Sequence, residues 1–553
     1  MVAVNGLKPP TNWQQVNWRQ VNRRVKNLRY RIFRATAKGD YKRVRSLQKL
    51  MLRSYANRLL SVRRVTQLNA GKRTAGVDRV LVKTASARSQ MVDSMGSPAE
   101  WQSQPTRRIY IPKPSGKRRA LGIPTIKGRA HQAMVSAALE PEWEAKFEST
   151  SYGFRPGRGP HDALAKLFHQ CCPHRTKLWV LDADIKSCFD EIDHDFLLRA
   201  IGSFPGRALI ARWLKAGYIE KQHWYPSEAG TPQGGVISPL LANIALHGME
   251  AVLGLRRNQK GHLANSRYAL VRYADDFVVL AKSKADAEDA KSILQQWLQP
   301  RGLELSSEKT RIVHLREGFD FLGCHVRHYR APKTTRTGWK LLITPSTKAI
   351  SKIRTTLKQR WQKLHGHPVR TVIQVLNPLI RGWANYYRPW VSSAVFRQLD
   401  QWMWTRQWCY LKRQHPGKTK GWCYRRYWGY LSPKYPNTKC FGDKSSGVHL
   451  LRFSWFTIER HTIVKGSASM DDPALKAYWQ QRQALKASQL KPTRQRTAQR
   501  QNGRCSVCGD SLFNGEALEL HHRIPKARGG QNTFDNLELL HLYCHQQIHA
   551  CPL

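Results

Sequence analysis

Two adjacent acids, Asp275 and Asp276, lie between the apolar runs Leu270-Val271 and Phe277-Val278-Val279-Leu280. A strand–turn–strand hairpin there would hold both carboxylates at a rigid sheet edge. Crowded carboxylates are unfavourable unless a cation neutralises them, and hard oxygen ligands suit Mg2+. Two such ions about 3.5–4 Å apart activate an attacking hydroxyl and stabilise the leaving oxygen in phosphoryl chemistry. Tyr273-Ala274-Asp275-Asp276 alone also fits a plain turn between strands. Upstream, Val180-Leu181-Asp182-Ala183-Asp184-Ile185 reads as a buried strand with two acids near its end. Strand alternation puts Asp182 and Asp184 on the same face, so both are open as partners for the hairpin. Gly230-Thr231-Pro232-Gln233-Gly234-Gly235 forms a Gly-rich loop ahead of a helix, a setting in which a nucleotide or template can approach the backbone closely.

A second concentration of chemistry lies near the C-terminus. Cys505-x2-Cys508 and His541-x2-Cys544 have the spacing of a closed tetrahedral Zn2+ site. Between them come His521-His522 and Asn536, and after them His545-x3-His549. His545 and His549 share one face of a helix. A double histidine on a strand sends its rings to opposite sides, which separates a metal ligand from a base. A zinc-bound DNA-binding module without cleavage fits the Cys/His spacing equally.

The elements that must position these groups change character along the chain. Residues 21–35 and 42–60 read as helices with Arg and Lys outward, and 286–299 as an amphipathic helix. Short apolar runs alternate with helices over 107–327, which predicts α+β rather than regular βαβ order. From 345 to 426 the pattern is helical and rich in Trp, Tyr and Arg. Residues 431–447 read as loop or linker, and 472–501 as a basic helix. The length of 553 residues suggests several domains. Lys and Arg total 93 against 37 Asp and Glu, a net charge of +56. A small-molecule enzyme gains nothing from that self-repulsion, whereas a polyanion would neutralise it. The 19 Trp and 19 Tyr add faces on which bases stack. No apolar run is long enough for a membrane span, and the N-terminus lacks a signal-peptide core. The 11 scattered cysteines point to a reducing compartment.

Seven blocks in order resemble the reverse transcriptases, and specifically the group II intron-encoded proteins. They are Ile111-Pro112-Lys113 through Leu121-Gly122-Ile123-Pro124-Thr125, then Ser151-Tyr152-Gly153-Phe154-Arg155-Pro156-Gly157, then the Asp184, Gln233 and Tyr273 segments. Ser307-Glu308-Lys309-Thr310 and Gly318-Phe319-Asp320-Phe321-Leu322-Gly323 complete the set. The resemblance implies that Asp184 and Asp275 ligate both metals with Asp276 alongside. The family places its catalytic acid five residues before the aromatic of Phe189, which selects Asp184 and leaves Asp182 structural. Phe189 is similar to the steric gate against a 2′-hydroxyl. Lys113 and Arg119 resemble the residues that hold the incoming triphosphate, with Lys117 and Arg118 as solvated neighbours. Gln233 resembles the residue that positions nucleotide and template. Lys309 resembles the lysine near the departing pyrophosphate, although it also fits a surface lysine.

Further along, Leu376-Asn377-Pro378-Leu379-Ile380-Arg381-Gly382-Trp383-Ala384-Asn385-Tyr386-Tyr387 resembles the maturase segment of that family. Arg381 and Arg388 are expected at the surface as RNA contacts, with Trp383 in the core. The tail is similar to HNH endonucleases. That likeness implies a divalent ion, Mg2+ or another, on His521, His545 and His549, with His522 as general base. Asn536 would fix the loop that orients the base, and Cys505, Cys508, His541 and Cys544 would hold structural Zn2+. Cys551 falls outside the pattern.

These resemblances predict a multidomain α+β protein. Its parts are a basic helical extension (1–75), right-hand polymerase fingers and palm (76–335), a helical thumb or maturase domain (336–430), a DNA-binding region (431–495) and a ββα-metal HNH module (496–553). Expected activities are RNA-directed DNA polymerisation with Mg2+, help in splicing, and nicking of target DNA. The expected partners are group II intron RNA, target DNA and dNTPs, in a bacterial cytoplasm near the nucleoid or in an organelle, with no membrane role. A splicing-only maturase and another class of polymerase are the rival readings, and the intact Asp184, Asp275 and Asp276 weigh against the first. The intron, the target site and the oligomeric state stay open.

Overall fold

Trp179–Asp184 forms the strand its apolar alternation predicts, and it pairs antiparallel with both Asp276–Ala281 and Arg311–His314. Ala269–Tyr273 completes the sheet, in the order 269–273, 276–281, 179–184, 311–314. Period-two alternation divides its side chains between two cores. Leu181, Ala183, Leu270, Phe277 and Val279 enter one, with the helix Lys284–Leu298. Val180, Ala269, Val271, Val278 and Leu280 enter the other, with the helix Pro160–Gln170. With both faces covered, the acids come together at one end of the sheet. The computed structural model describes residues 10–96, 101–112, 116, 118–255, 266–332, 337–487, 490, 492–514 and 516–550.

The first core continues into a bundle of Trp18–Ala37, Tyr41–Arg53, Tyr55–Arg63 and the long helix Ile126–Lys146. The single helix expected over 42–60 is two. At Ser54 the backbone is extended (φ −67°, ψ 119°), and its side chain accepts from the Asn57 N–H to cap the second helix. A four-stranded fingers sheet runs 118–123, 106–112, 218–220, 223–225. Gly122 N–H donates to the Gln233 carbonyl at 2.8 Å, tying this sheet to the Gly-rich loop.

The second core continues through the sheet of Phe319–Phe321, Cys324–Arg330 and Trp339–Pro345 into the thumb helices. These are Thr347–Lys363, Val369–Tyr387, Ser393–Gln414 and Lys420–Tyr427. The stretch expected as loop over 431–447 carries a strand, Cys440–Asp443, paired with Trp428–Gly429 and Val448–His449. Burial of Cys440 and Phe441 against the thumb outweighs the local turn composition. The basic helix expected over 472–501 is also divided, into Lys476–Ala487 and Pro492–Arg500. Proline at the start of the second helix is the reason, since it cannot supply an interior helical N–H.

The C-terminal module is a hairpin, Leu518–His522 against Leu537–His541, followed by the helix Leu542–Ala550. Its Leu512, Leu539 and Leu540 belong to the same core as the N-terminal helices. The multidomain α+β architecture is the one expected. No described helix is long and apolar enough to cross a membrane.

Candidate functional site

Asp184 and Asp276 are register partners on adjacent antiparallel strands. Asp275 lies in the turn beside them, after Ala274, whose φ of +58° makes the turn tight. Burial raises the Asp275 carboxyl; the Asp184 charge adds to this, while Arg119 and Lys309 oppose it. Burial, the hydrogen bond with Asp184 and the charge of Asp275 lift Asp276 to about 7. Three acids in one half-buried corner call for positive charge. Lys309 supplies some of it, with Nζ 2.5 Å from Asp184 Oδ2. Asp182 is engaged elsewhere: Arg311, its register partner, donates Nε to Asp182 Oδ2 at 3.1 Å.

A buried scaffold that the sequence reading missed stands under the turn. Arg272 is fully buried. Its Nη1 donates to Asn243 Oδ1 (3.2 Å) and to the Ala274 carbonyl (3.3 Å), while Asn243 Nδ2 donates to the Gly153 carbonyl (2.9 Å). Arg272 lies within the strand Ala269–Tyr273, where a lone charge reads as a solvated position, so its charge gave no hint of burial. Gly153 stood in a quoted block and was the available signal.

Among the described residues, the other expected polymerase residues sit on the elements next to this corner. Phe189 is half-buried, edge-on to Phe154 at 6.0 Å between centroids. Its carbonyl accepts from Thr231 N–H at 2.6 Å, which joins it to the Gly-rich loop. Gln233 Nε2 donates to Asp190 Oδ2 at 3.4 Å. Arg119 is exposed on the fingers strand opposite Ile111. Lys113 lies outside the described residues.

In the thumb, Arg381 is exposed. Trp383 is half-buried against Tyr387, Phe396 and Phe453, with centroids 4.4, 5.9 and 5.6 Å away. Arg388 is not the free surface cation expected. It is half-buried, bonded to Glu459 at 2.8 Å and to the Thr457 carbonyl at 3.1 Å. The chain after residue 455 folds back across the thumb and captures it, a contact beyond the reach of local pattern.

In the C-terminal module, the ligating atoms of His521, His545 and His549 lie within 4.8 Å of one another. Burial lowers His521 and His545, and neighbouring imidazoles lower them further. Both therefore favour the neutral form that a metal ion requires. His522 is on the opposite side of the strand, its Nε2 2.8 Å from Asn532 Oδ1. Asn532 is a residue the sequence reading missed. Asn536 pins its loop at both ends, accepting from Ile524 N–H (2.7 Å) and donating to the Ile524 (3.1 Å) and Gln531 (2.9 Å) carbonyls.

Cys505, Cys508, His541 and Cys544 form a second cluster, all buried and again within 4.8 Å. His541 Nε2 faces the Ser511 carbonyl at 3.0 Å, leaving Nδ1 towards the sulfurs. Burial works against a charge on His541, yet hydrogen bonds with the Cys505 and Cys544 sulfurs raise it to about 10. Such a donor set fits a cation such as zinc.

Four family models match the chain. Residues 13–95 match the N-terminal domain of reverse transcriptase, and 111–326 match reverse transcriptase (RNA-dependent DNA polymerase). Residues 350–428 match the group II intron maturase-specific domain, and 505–550 match HNH endonuclease. Protein YkfC of Escherichia coli K12 is 35% identical over 303 residues, covering 48% of this chain and 79% of its own. Group II intron-encoded protein LtrA of Lactococcus lactis subsp. cremoris is 30% identical over 390 residues, covering 56% of this chain and 64% of its own. An uncharacterized 91 kDa protein in the cob intron of Schizosaccharomyces pombe is 28% identical over 359 residues, 52% of this chain and 44% of its own. The match thus spans less than two thirds of the last two relatives.

Proposed function

The chain belongs to the group II intron-encoded proteins, with reverse transcriptase, maturase and HNH endonuclease domains, and from that premise we propose that it copies its intron RNA into DNA from a 3′ end that its own nuclease makes. The observation that carries the polymerase reading is the cross-strand pair Asp184–Asp276 with Asp275 in the adjoining turn. Asp184, Asp275 and Asp276 would hold Mg2+, which when bound supplies charge stabilisation at the attacking and leaving oxygens. Arg119, with Lys113, grips the triphosphate. Phe189 closes the space a 2′-hydroxyl would need, so dNTPs are used. Gln233, held by Asp190, steadies the nucleotide against the template. Lys309 gives its proton to the departing pyrophosphate.

In the nuclease, His521, His545 and His549 would hold a divalent ion, which when bound stabilises the cleaved phosphodiester. His522 takes the proton of the attacking water, with Asn532 setting its ring. Cys505, Cys508, His541 and Cys544 would hold structural zinc. Arg381 and its neighbours in the thumb contact intron RNA; Arg388 braces that surface through Glu459. The domains divide near residues 75, 335, 430 and 495. The setting is a bacterial nucleoid or an organelle, where intron RNA and target DNA meet.

The test is extension of a DNA primer on an RNA template with Mg2+ and dNTPs. Wild-type protein should make cDNA and Asp275→Asn should make none. Silence of both refutes the polymerase reading.

A further inference from the structure

The C-terminal module meets the N-terminal helices beside its Cys505/Cys508/His541/Cys544 cluster. Arg63 ends the helix Tyr55–Arg63, and only 5% of its side chain is exposed. Its Nη2 is 3.2 Å from Cys544 Sγ and 3.8 Å from Glu516 Oε2, and the guanidinium covers the Trp18 ring at 4.7 Å. Polar contacts flank it. Asn22 Nδ2 donates to the Cys508 carbonyl at 3.2 Å, and Gln547 Nε2 donates to the Gln14 and Val16 carbonyls at 2.8 and 3.1 Å. A buried guanidinium is destabilising unless an anion meets it. The nearest acceptor is a sulfur of the metal-type cluster, not a carboxylate.

We infer that Arg63 is the counter-ion of the metal–thiolate centre, so that filling the centre docks the nuclease on the N-terminal helices. The inference rests on the reading of Cys505, Cys508, His541 and Cys544 as a structural metal site. Three thiolates and a neutral imidazole around a divalent ion leave one net negative charge in a low-dielectric interior. Arg63 cancels that charge from another domain. Without the ion the 505–508 turn and the Cys544 helix lose their common anchor, and Arg63 keeps only the Glu516 carboxylate at 3.8 Å as an anionic neighbour. The same ion that folds the knuckle therefore sets the placement of the nuclease relative to the polymerase. A strand end released at His522 then starts its path to Asp184 and Asp275 from one fixed geometry.

The experiment is hydrogen exchange by mass spectrometry on the full-length protein, with zinc content measured on the same samples. Chelating the zinc of wild-type protein should speed exchange in Tyr55–Arg63 and in Leu542–Ala550 together, by about 10-fold or more. Exchange in the helix Lys284–Leu298 should stay unchanged. Arg63→Met should keep its zinc and the protection of Leu518–His522, yet lose protection in Tyr55–Arg63 by a similar factor. Arg63→Lys should lie between. The inference is overturned if zinc removal loosens the nuclease alone, or if zinc-loaded Arg63→Met exchanges like wild type at 55–63. A protein that binds no zinc refutes the metal reading instead. If Arg63→Met also loosens Lys284–Leu298, it misfolds, and chelation of the wild type decides.

Discussion

Gly153 and Ala274 approach so closely that a Cβ on the glycine would lie 2.4 Å from the Ala274 nitrogen. Ala274 begins the turn that carries Asp275, and the Gly153 carbonyl is held by Asn243, which also receives Arg272. The glycine thus sets the height of the Asp275 turn above its scaffold. Gly153→Ala must push the turn outward, because the obstructing atoms are backbone. Misplacement of about 1 Å at a reacting group costs on the order of 10²-fold in rate. Primer extension should fall by about that factor while DNA nicking by the HNH module is retained. Wild-type extension in Gly153→Ala would show that the turn has room to move.

The two acids of the strand Trp179–Asp184 should separate by function. Asp184→Asn should abolish primer extension with little change in thermal stability. Asp182→Asn should leave extension within a few-fold of wild type and weaken the Arg311 pair. That pair is partly exposed, so the loss should be about 1 kcal/mol or less. Abolished extension in Asp182→Asn, with the fold intact, would reverse the assignment.

His522→Ala should lose nicking and keep both zinc and fold. Asn532→Ala should reduce nicking by roughly 10–100-fold, the usual effect of removing a partner that orients a working residue. The reduction should appear in the maximal rate rather than in DNA binding. Equal rates for Asn532→Ala and wild type would mean that the His522 ring is held by other contacts.

His131 is stacked on Trp101 at 4.0 Å, and burial lowers it from 6.5 to about 3. The folded protein therefore keeps this ring neutral while the unfolded chain protonates it below pH 6.5. Stability from His131 is complete above that value and declines as the pH falls towards 3. Between pH 7 and 5 the loss should be about 2 kcal/mol. His131→Phe retains the stacking and cannot titrate, so its melting temperature should fall less over that interval. Parallel pH profiles for the two proteins would exclude His131 as a contributor.

Local chemistry made much of this protein readable in its sequence. Asp184, Asp275 and Asp276, the His521-His522 pair and the Cys505-x2-Cys508 spacing all sit on short elements whose periodicity is carried by adjacent residues. The palm hairpin and the ββα module could be placed for that reason. Spacing could not separate Asp182 from Asp184. The resemblance to a family chose between them, and the fold shows Arg311 on one and Lys309 on the other. Other features depended on contacts that the local sequence pattern does not carry. Arg388 is captured by Glu459, Arg272 is buried under the Asp275 turn, and Arg63 meets the sulfur of Cys544. An arginine looks alike in sequence whether it faces phosphate, carboxylate or thiolate. Which of these it meets is set by burial and long-range packing, and those exist only once the chain has closed on itself.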